Sequence, residues 1–582
     1  MFFVLLNWLW IGISAFLIGY AGISFLNKMV KSYVNSISMI VVFGLCILAV
    51  YAEYFSLLHK VGILANAILL CCNLCILLFG RKGIWNILSE AVSRYPKGKK
   101  GILLGVIAAI IFGVILVVTA SPIRHYDTWL YHAQSIRWIE EYGIVKGLGN
   151  LHNRFAYNSS VFPLQALFSM PYVFGQSMHS VNGFITVLLL VYSIVSMKCW
   201  DGKLFVSDFL RLALVVCFNL YSVYRYISAT GSDTFAIGLF FYILIKVVSF
   251  IEEENDNDAE YAYLCIIGVF AVSVKLSVAM IVLLVYIPLC KLIVKKDWRK
   301  IGIYLFAGLG VILPFLIRNV LISGYLVYPY AAIDLFNVDW KMPEYTLVFD
   351  SKEIQAFGRG LRNVVEDFDC AFGEWFPIWM NGLSNIMKYM FWINVVLIPI
   401  SVIWGVWELV HKRGENGCIV FVIMANLLLW FWGAPSTRYG LPFMFLLPLY
   451  MLGIALSKVK NHIRIEKIVV YLLALFVIGS NISLTKYACM QIKEDKISLK
   501  VPEDYVPCAY EEFILEGNII YVPTETDQIG YFAFPSSPYR DMLKLIELRG
   551  ESIKDGFRLK EEFIGAYIPN NGSIAESNVF AK

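Results

Sequence analysis

Residues able to do acid–base or anion chemistry are densest between Ser121 and Ser160, in SPIRHYDTWLYHAQSIRWIEEYGIVKGLGNLHNRFAYNSS. His125, His132 and His152 lie inside this stretch and His179 follows it, which accounts for four of the seven histidines in 582 residues. Asp127 is flanked by His125 and, about one helical turn on, by His132. An imidazole–carboxylate grouping of this kind can move a proton or orient an anion, since histidine titrates near neutrality and a carboxylate can accept a hydroxyl proton. Glu140 and Glu141 alternate here with Arg124, Arg137, Lys146 and Arg154. The later part adds Asn150, His152, Arg154 and Asn158, whose donors and acceptors suit sugar hydroxyls or phosphate oxygens.

A plainer reading uses the same residues. Asp127 or Thr128 would be the N-cap of an interfacial helix ended by Gly143, with Trp129, Ile136 and Ile139 toward lipid headgroups. Against it, Asp127 comes shortly after a long apolar run, where an ionisable group is costly and so usually functional. Elsewhere, Asp233 in TGSDT is most simply a helix-start cap, with a site role as the alternative. Arg318 at the end of an apolar run is explained by snorkelling about as well as by phosphate binding. Arg438 in GAPSTRYG invites the same two readings, and its guanidinium suits bidentate phosphate recognition. Glu366, Asp367, Asp369 and Glu374 stand beside Phe368, Phe372, Trp375 and Trp379. Such a mixture resembles carbohydrate-contacting surfaces, although a solvated helix is the simpler expectation.

The frame that must position these residues is a membrane bundle. The chain is 59% hydrophobic and 16% charged, with a mean hydropathy of +0.69, far beyond a soluble protein. Apolar runs of 17 to 25 residues recur, each able to span a core of about 30 Å, and backbone satisfaction inside lipid requires them to be helices. Fourteen spans are predicted, near 3–26, 34–56, 61–80, 101–120, 180–198, 204–226, 234–252, 260–275, 277–294, 300–319, 386–410, 417–433, 439–456 and 466–486. The loop 81–100, with Arg81, Lys82, Arg94, Lys97, Lys99 and Lys100 against Glu90, marks the cytoplasmic side. The 101–120 span then delivers the histidine-rich stretch to the outer face of the inner (cytoplasmic) membrane, and both termini lie outside. The first span continues without a cleavage site, so it is expected to be an anchor.

Three regions divide the chain: three spans and a basic loop at 1–100, a membrane module at 101–486 with outer loops 121–178 and 320–385, and a tail at 487–582. The tail, with a strand-like NIIYVP at 518–523, is expected to be a small α/β domain over the outer face. Within 161–178, Pro163 and Pro171 break the apolar run, which predicts an interfacial or re-entrant segment. The net charge of +5 is not a nucleic-acid signal. The CxxC at Cys72 and Cys75 lies inside a span and reads as packing. No Walker loop, HExxH, GxSxG or dinucleotide fingerprint stands in a suitable context, and no metal ligand set is assigned.

An early acid in a long outer loop, then six further spans and a second long outer loop, resembles the GT-C superfamily of integral membrane glycosyltransferases. The text YDTWLYHAQSIRWIEEYG…GLGNLHNRFAYNSS, with DQIGYFAFPSSPY and LRGESIKDGFR in the tail, is similar to a group of uncharacterised bacterial polytopic membrane proteins. The broader resemblance implies an all-α polytopic fold, here with three extra N-terminal spans. It also implies transfer of a sugar from a polyprenyl-phosphate-linked donor to an envelope glycan, lipid or protein acceptor. Asp127 matches the acid that serves as base or metal ligand, and Arg438 the arginine that meets the lipid phosphate, with Arg318 as a second candidate. His125, His132, Arg137, Asn150, His152, Arg154, Asn158 and Asp233 would contact the substrates. Many GT-C members carry a paired acid where this loop has only His125-Tyr126-Asp127, which leaves a divalent cation requirement open. A polysaccharide polymerase or ligase shares this architecture. A lipid or solute transporter is the non-enzyme alternative, although no internal repeat is visible and polar residues gather at span ends rather than mid-span.

Overall fold

Where apolar runs are long, the backbone closes its own hydrogen bonds and helices result. The structure is a computed structural model that describes residues 1–220, 226–361, 369–411, 414–457, 463–494 and 497–564. In chain order the helices are α1 (Phe2–Val30), α2 (Ile37–Ser56), α3 (Ile63–Arg94), α4 (Gly98–Thr119), α5 (Ala133–Glu141), α6 (Val161–Ser169), α7 (Val181–Val195), α8 (Val206–Asn219), α9 (Asp233–Glu252) and α10 (Asp258–Val274). There follow α11 (Tyr286–Val294), α12 (Trp298–Ser323), α13 (Glu344–Gly358), α14 (Phe372–Gly382), α15 (Asn385–His411), α16 (Glu415–Gly433), α17 (Thr437–Ser457) and α18 (Ile463–Lys493). Short single turns join several of them.

Among the described residues, twelve helices are long and apolar enough to cross a membrane, and the protein is a multi-pass membrane protein. Two of the fourteen expected spans correspond to short helices: α8 has 14 residues, fewer than its expected span, and α10 has 17. At 1.5 Å per residue they reach about 21 and 25 Å, short of a core of about 30 Å. Both are packed inside the bundle, where neighbouring helices rather than lipid cover them. The expected loop 81–100 is also corrected, because α3 runs on for 32 residues and carries Arg81 and Lys82 in helix. Between α1 and α2 a Cβ at Gly19 would overlap the Ile40 carbonyl and one at Gly44 the Ala15 carbonyl, so these helices touch backbone to backbone.

The 161–178 segment is broken as Pro171 predicts: all nine residues of α6 are enclosed by the bundle, whereas Pro171, Tyr172 and Val173 are exposed, which fits a re-entrant segment better than an interfacial one. Ile136 and Ile139 are likewise buried and do not face headgroups.

The tail carries two antiparallel hairpins, β1 (Tyr510–Leu515) with β2 (Asn518–Pro523) and β3 (Ile546–Leu548) with β4 (Phe557–Leu559). The two-residue turn Glu516–Gly517 has φ of 48° and 81°, the left-handed pair that matches strand twist and favours glycine second. Its apolar residues Ile520, Leu543, Leu548 and Phe557 share one core with Trp138, Leu151 and Phe155 of the first loop and Tyr325, Tyr328 and Leu347 of the second. The tail and both loops thus cap the same end of the bundle, called here the loop end. The chain's first residues join them: the Met1 amino group donates to the Ser498 carbonyl at 2.9 Å.

Candidate functional site

At the loop end four charged side chains from four separate segments meet. Asp127 follows α4, Asp233 opens α9, Lys275 follows α10 and Arg438 lies in the first turn of α17. The Arg438 Nη2 donates to Asp127 Oδ2 at 2.6 Å and its Nε to Asp233 Oδ2 at 2.8 Å, while Lys275 Nζ pairs with Asp233 Oδ1. Tyr439 lies beneath both cations, with Lys275 Nζ 4.2 Å and Arg438 Cζ 4.9 Å from its ring centroid. Tyr226 adds a second ring, 5.6 Å from Arg438 Cζ. The side chains of Asp127 and Arg438 are each 21% exposed and that of Lys275 23%, whereas Asp233 is 8% exposed. Two cations and one carboxylate therefore reach solvent, and the second carboxylate supports them from below.

Asp127 is not a helix cap. It precedes a π-helical turn at Thr128–His132 and makes no capping bond. Asp233 sits one residue inside α9, whose N-cap is Ser232, and its carboxylate is spent on the two cations. In both cases the simple capping expectation gives way to an ion pair.

Behind Asp127 the imidazoles of His125 and His132 stack, with centroids 5.4 Å apart and planes 14° from parallel. His125 Nε2 is 3.8 Å from Asp127 Oδ2, and its Nδ1 is 3.2 Å from Thr128 Oγ1. Gly231 gives the pair room, because a Cβ there would lie 2.9 Å from His132 Cε1. Burial and then the Arg438 charge lower His125 to about 4 against the pull of Asp127, and burial and then His125 lower His132 to about 3. Both rings are neutral at pH 7. Burial alone would push the Asp127 carboxyl up. The Arg438 guanidinium, followed by the two histidines, instead holds it well below the usual carboxylate range.

The remaining predicted site residues lie elsewhere. Arg137 donates to the Tyr531 and Phe532 carbonyls at 2.5 and 2.9 Å and stacks on Phe534, which ties the tail to the first loop. Asn150 does the same toward the Trp340 carbonyl at 2.9 Å. Arg154 is held by Asp350 at 2.9 Å and Glu353 at 2.6 Å, so it joins the first loop to α13. His152 is buried against Phe155 and Tyr539, and burial followed by the Arg154 charge lowers its pKa well below the usual value. Arg318 is neither snorkelling nor near Arg438. It is buried, donating to Asn158 Oδ1 at 3.0 Å and to Ser56 Oγ, beside Glu53, which accepts from Ser160 Oγ at 2.7 Å. Of the predicted contacts, His125, His132, Asp233 and Arg438 come together with Asp127, and Arg137, Asn150, His152, Arg154, Asn158 and Arg318 do not.

Sequence reasoning missed three members of this end of the molecule. Lys275 stood only as the last residue of the predicted span 260–275. Asp350, fully buried, accepts from Asn153 at 3.1 Å and from Tyr328 at 3.3 Å in addition to Arg154. Glu140 holds His179 Nε2 at 3.1 Å and the Tyr531 hydroxyl at 2.7 Å. In the second loop Asp369 pairs with Lys352 at 3.1 Å and Glu374 accepts from the Ala371 amide at 2.9 Å; Glu366, Asp367 and Phe368 lie outside the described residues. The tail borders the site directly: the Gly530 amide donates to the Trp129 carbonyl at 2.9 Å, and the Tyr126 hydroxyl pairs with Asp527.

A divalent cation does not fit this donor set. The guanidinium of Arg438 fills the place between the two carboxylates that a cation would take. Among the described residues no three His, Cys, Asp or Glu side chains converge as a ligand set.

No curated protein and no solved structure matches this chain. A family model described as a domain of unknown function (DUF8201) matches residues 1–445, a stretch that contains Asp127, Asp233, Lys275 and Arg438 and stops before the tail. By that match over most of its length, the chain belongs to the DUF8201 family.

Proposed function

We propose that the protein is a membrane glycosyltransferase of GT-C type, moving a sugar from a polyprenyl-phosphate-linked donor to a cell-envelope acceptor. The observation that carries this reading is the direct contact of Asp127 with Arg438 at 2.6 Å, an acid and a phosphate-compatible cation joined across 311 residues of chain. The basic residues of α3 and of the segment after it favour the cytoplasm for the opposite end, which puts the loop end and both termini outside.

Arg438 neutralises Asp127 through their direct ion pair. A donor phosphate would compete for the guanidinium, and the carboxylate it releases regains basicity as its nearest positive charge turns to the ligand. Asp127 then takes the proton of the acceptor hydroxyl as that oxygen bonds to the anomeric carbon. The anomeric C–O bond to phosphate breaks, its electron pair stays on the phosphate oxygen, and Arg438 stabilises the charge that grows there. The neutral histidine pair sets the polarity of the wall behind Asp127.

The test is transfer in proteoliposomes containing the full chain, a polyprenyl-phosphate sugar and an envelope acceptor extract. Labelled product from the wild type and none from Asp127→Ala at equal protein level supports the reading. Equal product from both would sink it. Chain-length analysis of the product separates single-sugar transfer from polymerisation.

A further inference from the structure

Lys275 has no part in that mechanism, yet the fold departs from regularity to present it. Helix α10 ends at Val274, Lys275 itself is extended (φ −159°, ψ 126°), and residues Leu276–Val285 continue as a ten-residue 3-10 run before α11. Runs longer than three or four residues of this kind are uncommon and often mark function or strain. Irregular backbone at membrane depth is tolerated only where protein buries it or where it lines a water-filled cavity. The break points the ammonium at Asp233 Oδ1, while Arg438 takes Oδ2 of the same carboxylate. Two like charges thus stand side by side, each on one oxygen of a single acid and both over the Tyr439 ring. Their repulsion is offset from below by Asp233, the less exposed partner, and both keep an exposed flank.

One phosphoryl group is satisfied by Arg438 alone, whose planar fork binds two oxygens. A lysine beside it is a compact point charge with three rotatable donors, one of them engaged by Asp233. Its exposed flank gains a partner only when the ligand brings a second anionic group next to the first. Resting on the lipid-phosphate reading of Arg438, we infer that this site takes a diphosphate headgroup, with Arg438 on one phosphoryl group, Lys275 on the next and Asp233 as the pillar that sets their spacing. Lys275 is then the residue that distinguishes a lipid diphosphate from a lipid monophosphate.

The experiment uses the full chain in lipid nanodiscs and reads binding of a polyprenyl diphosphate, a polyprenyl monophosphate and inorganic diphosphate by native mass spectrometry. The wild type should bind the lipid diphosphate at least about tenfold more tightly than the monophosphate, a difference of about 1.4 kcal/mol. Lys275→Met, which keeps the stem over Tyr439, should erase that preference and leave monophosphate binding within about threefold. Equal wild-type affinities, or equal losses for both lipids in Lys275→Met, would overturn the inference and leave the Arg438 reading standing. Inorganic diphosphate binding as tightly as the lipid form would keep the two-cation site but remove the lipid source, and with it the donor reading. If Arg438→Gln leaves every affinity unchanged, both readings fail together. Should Lys275→Met not fold, the wild-type comparison decides alone.

Discussion

Replacing Asp127 by asparagine keeps the shape and one acceptor oxygen and removes the charge. In the structure that charge makes a single contact of 2.6 Å with Arg438, and the pair is one fifth exposed on each side. A charge-assisted hydrogen bond contributes about 1.5–3 kcal/mol when buried, and partial exposure puts this one toward the lower end. Arg438 is not orphaned by the change, because Asp233 still holds its Nε at 2.8 Å. The full penalty of a broken buried pair, about 3–5 kcal/mol, therefore does not apply. We expect Asp127→Asn to lose about 1–2 kcal/mol of stability and to remain folded. Transfer should fall far more, by about 10²–10⁴, the range that a general base contributes. These two losses differ enough to be separated, by thermal unfolding in detergent on one side and proteoliposome turnover on the other. A double-mutant cycle of Asp127→Asn with Arg438→Gln should show a coupling of about 1–2 kcal/mol in stability. The reasoning is refuted if folded Asp127→Asn retains transfer within about threefold of wild type, or if the two substitutions are additive.

Acidification should destabilise the protein through its buried histidines. With folded values of about 4 for His125 and 3 for His132 against an ordinary 6.5, the unfolded chain binds protons that the folded one refuses. Stability is then fully present above about pH 7 and falls as pH drops toward 4, by up to about 1.4 kcal/mol per pH unit for each ring. His132→Gln should flatten the slope by about one proton, and an unchanged slope would show that the pair does not set it. Gly231→Ala should cost about 1–3 kcal/mol, since its Cβ meets His132 at 2.9 Å, and wild-type thermal stability in this variant would contradict the close stack. Arg137→Ala should loosen the tail selectively, with faster limited proteolysis after residue 497 and an unchanged bundle, because its two carbonyl bonds run from the first loop to the tail. Protection equal to wild type would mean the tail is held by its apolar core alone.

Much of the frame was legible because hydropathy is local. A run of apolar residues must be a helix in lipid whatever it packs against, and twelve such runs appear. Asp127, Asp233 and Arg438 were legible for a related reason: a charge at the end of an apolar run stands out against it. Lys275 carries the same signal, but at the end of the predicted span 260–275 a lysine is explained as simply by a span boundary. Glu53, an acid within α2, also stood out by type and was passed over in favour of the denser loop. What could not be read was the partner of each polar side chain. Arg137, Asn150 and Arg154 have donors that would serve a sugar as well as a neighbouring loop. The groups that claim them lie far away in sequence, 394 residues in the case of Arg137 and Tyr531. Asp350 had no local mark at all; its meaning comes entirely from Arg154, Asn153 and Tyr328 arriving from other segments.

The difference between these two sets of polar residues bears on function. Arg137, Asn150, Arg154 and Arg318 are engaged by protein partners and help to hold loops, tail and bundle together. The Asp127–Arg438–Asp233–Lys275 cluster is also internally neutral, with two carboxylates against two cations, and three of its four members keep an exposed flank, as Arg154 and Glu353 do. Partial exposure screens each ion pair and spares part of the desolvation cost of burial. Leaving them open weakens the cluster and leaves room for exchange of partners with an incoming anion. Asp127 is the member whose state depends most on that exchange: paired with Arg438 its carboxyl is held well below the usual range, and losing that partner makes it a stronger base. On the proposed glycosyltransferase reading, the arrangement ties basicity at Asp127 to occupancy at Arg438, so that the acceptor would be activated only after an anionic donor is in place.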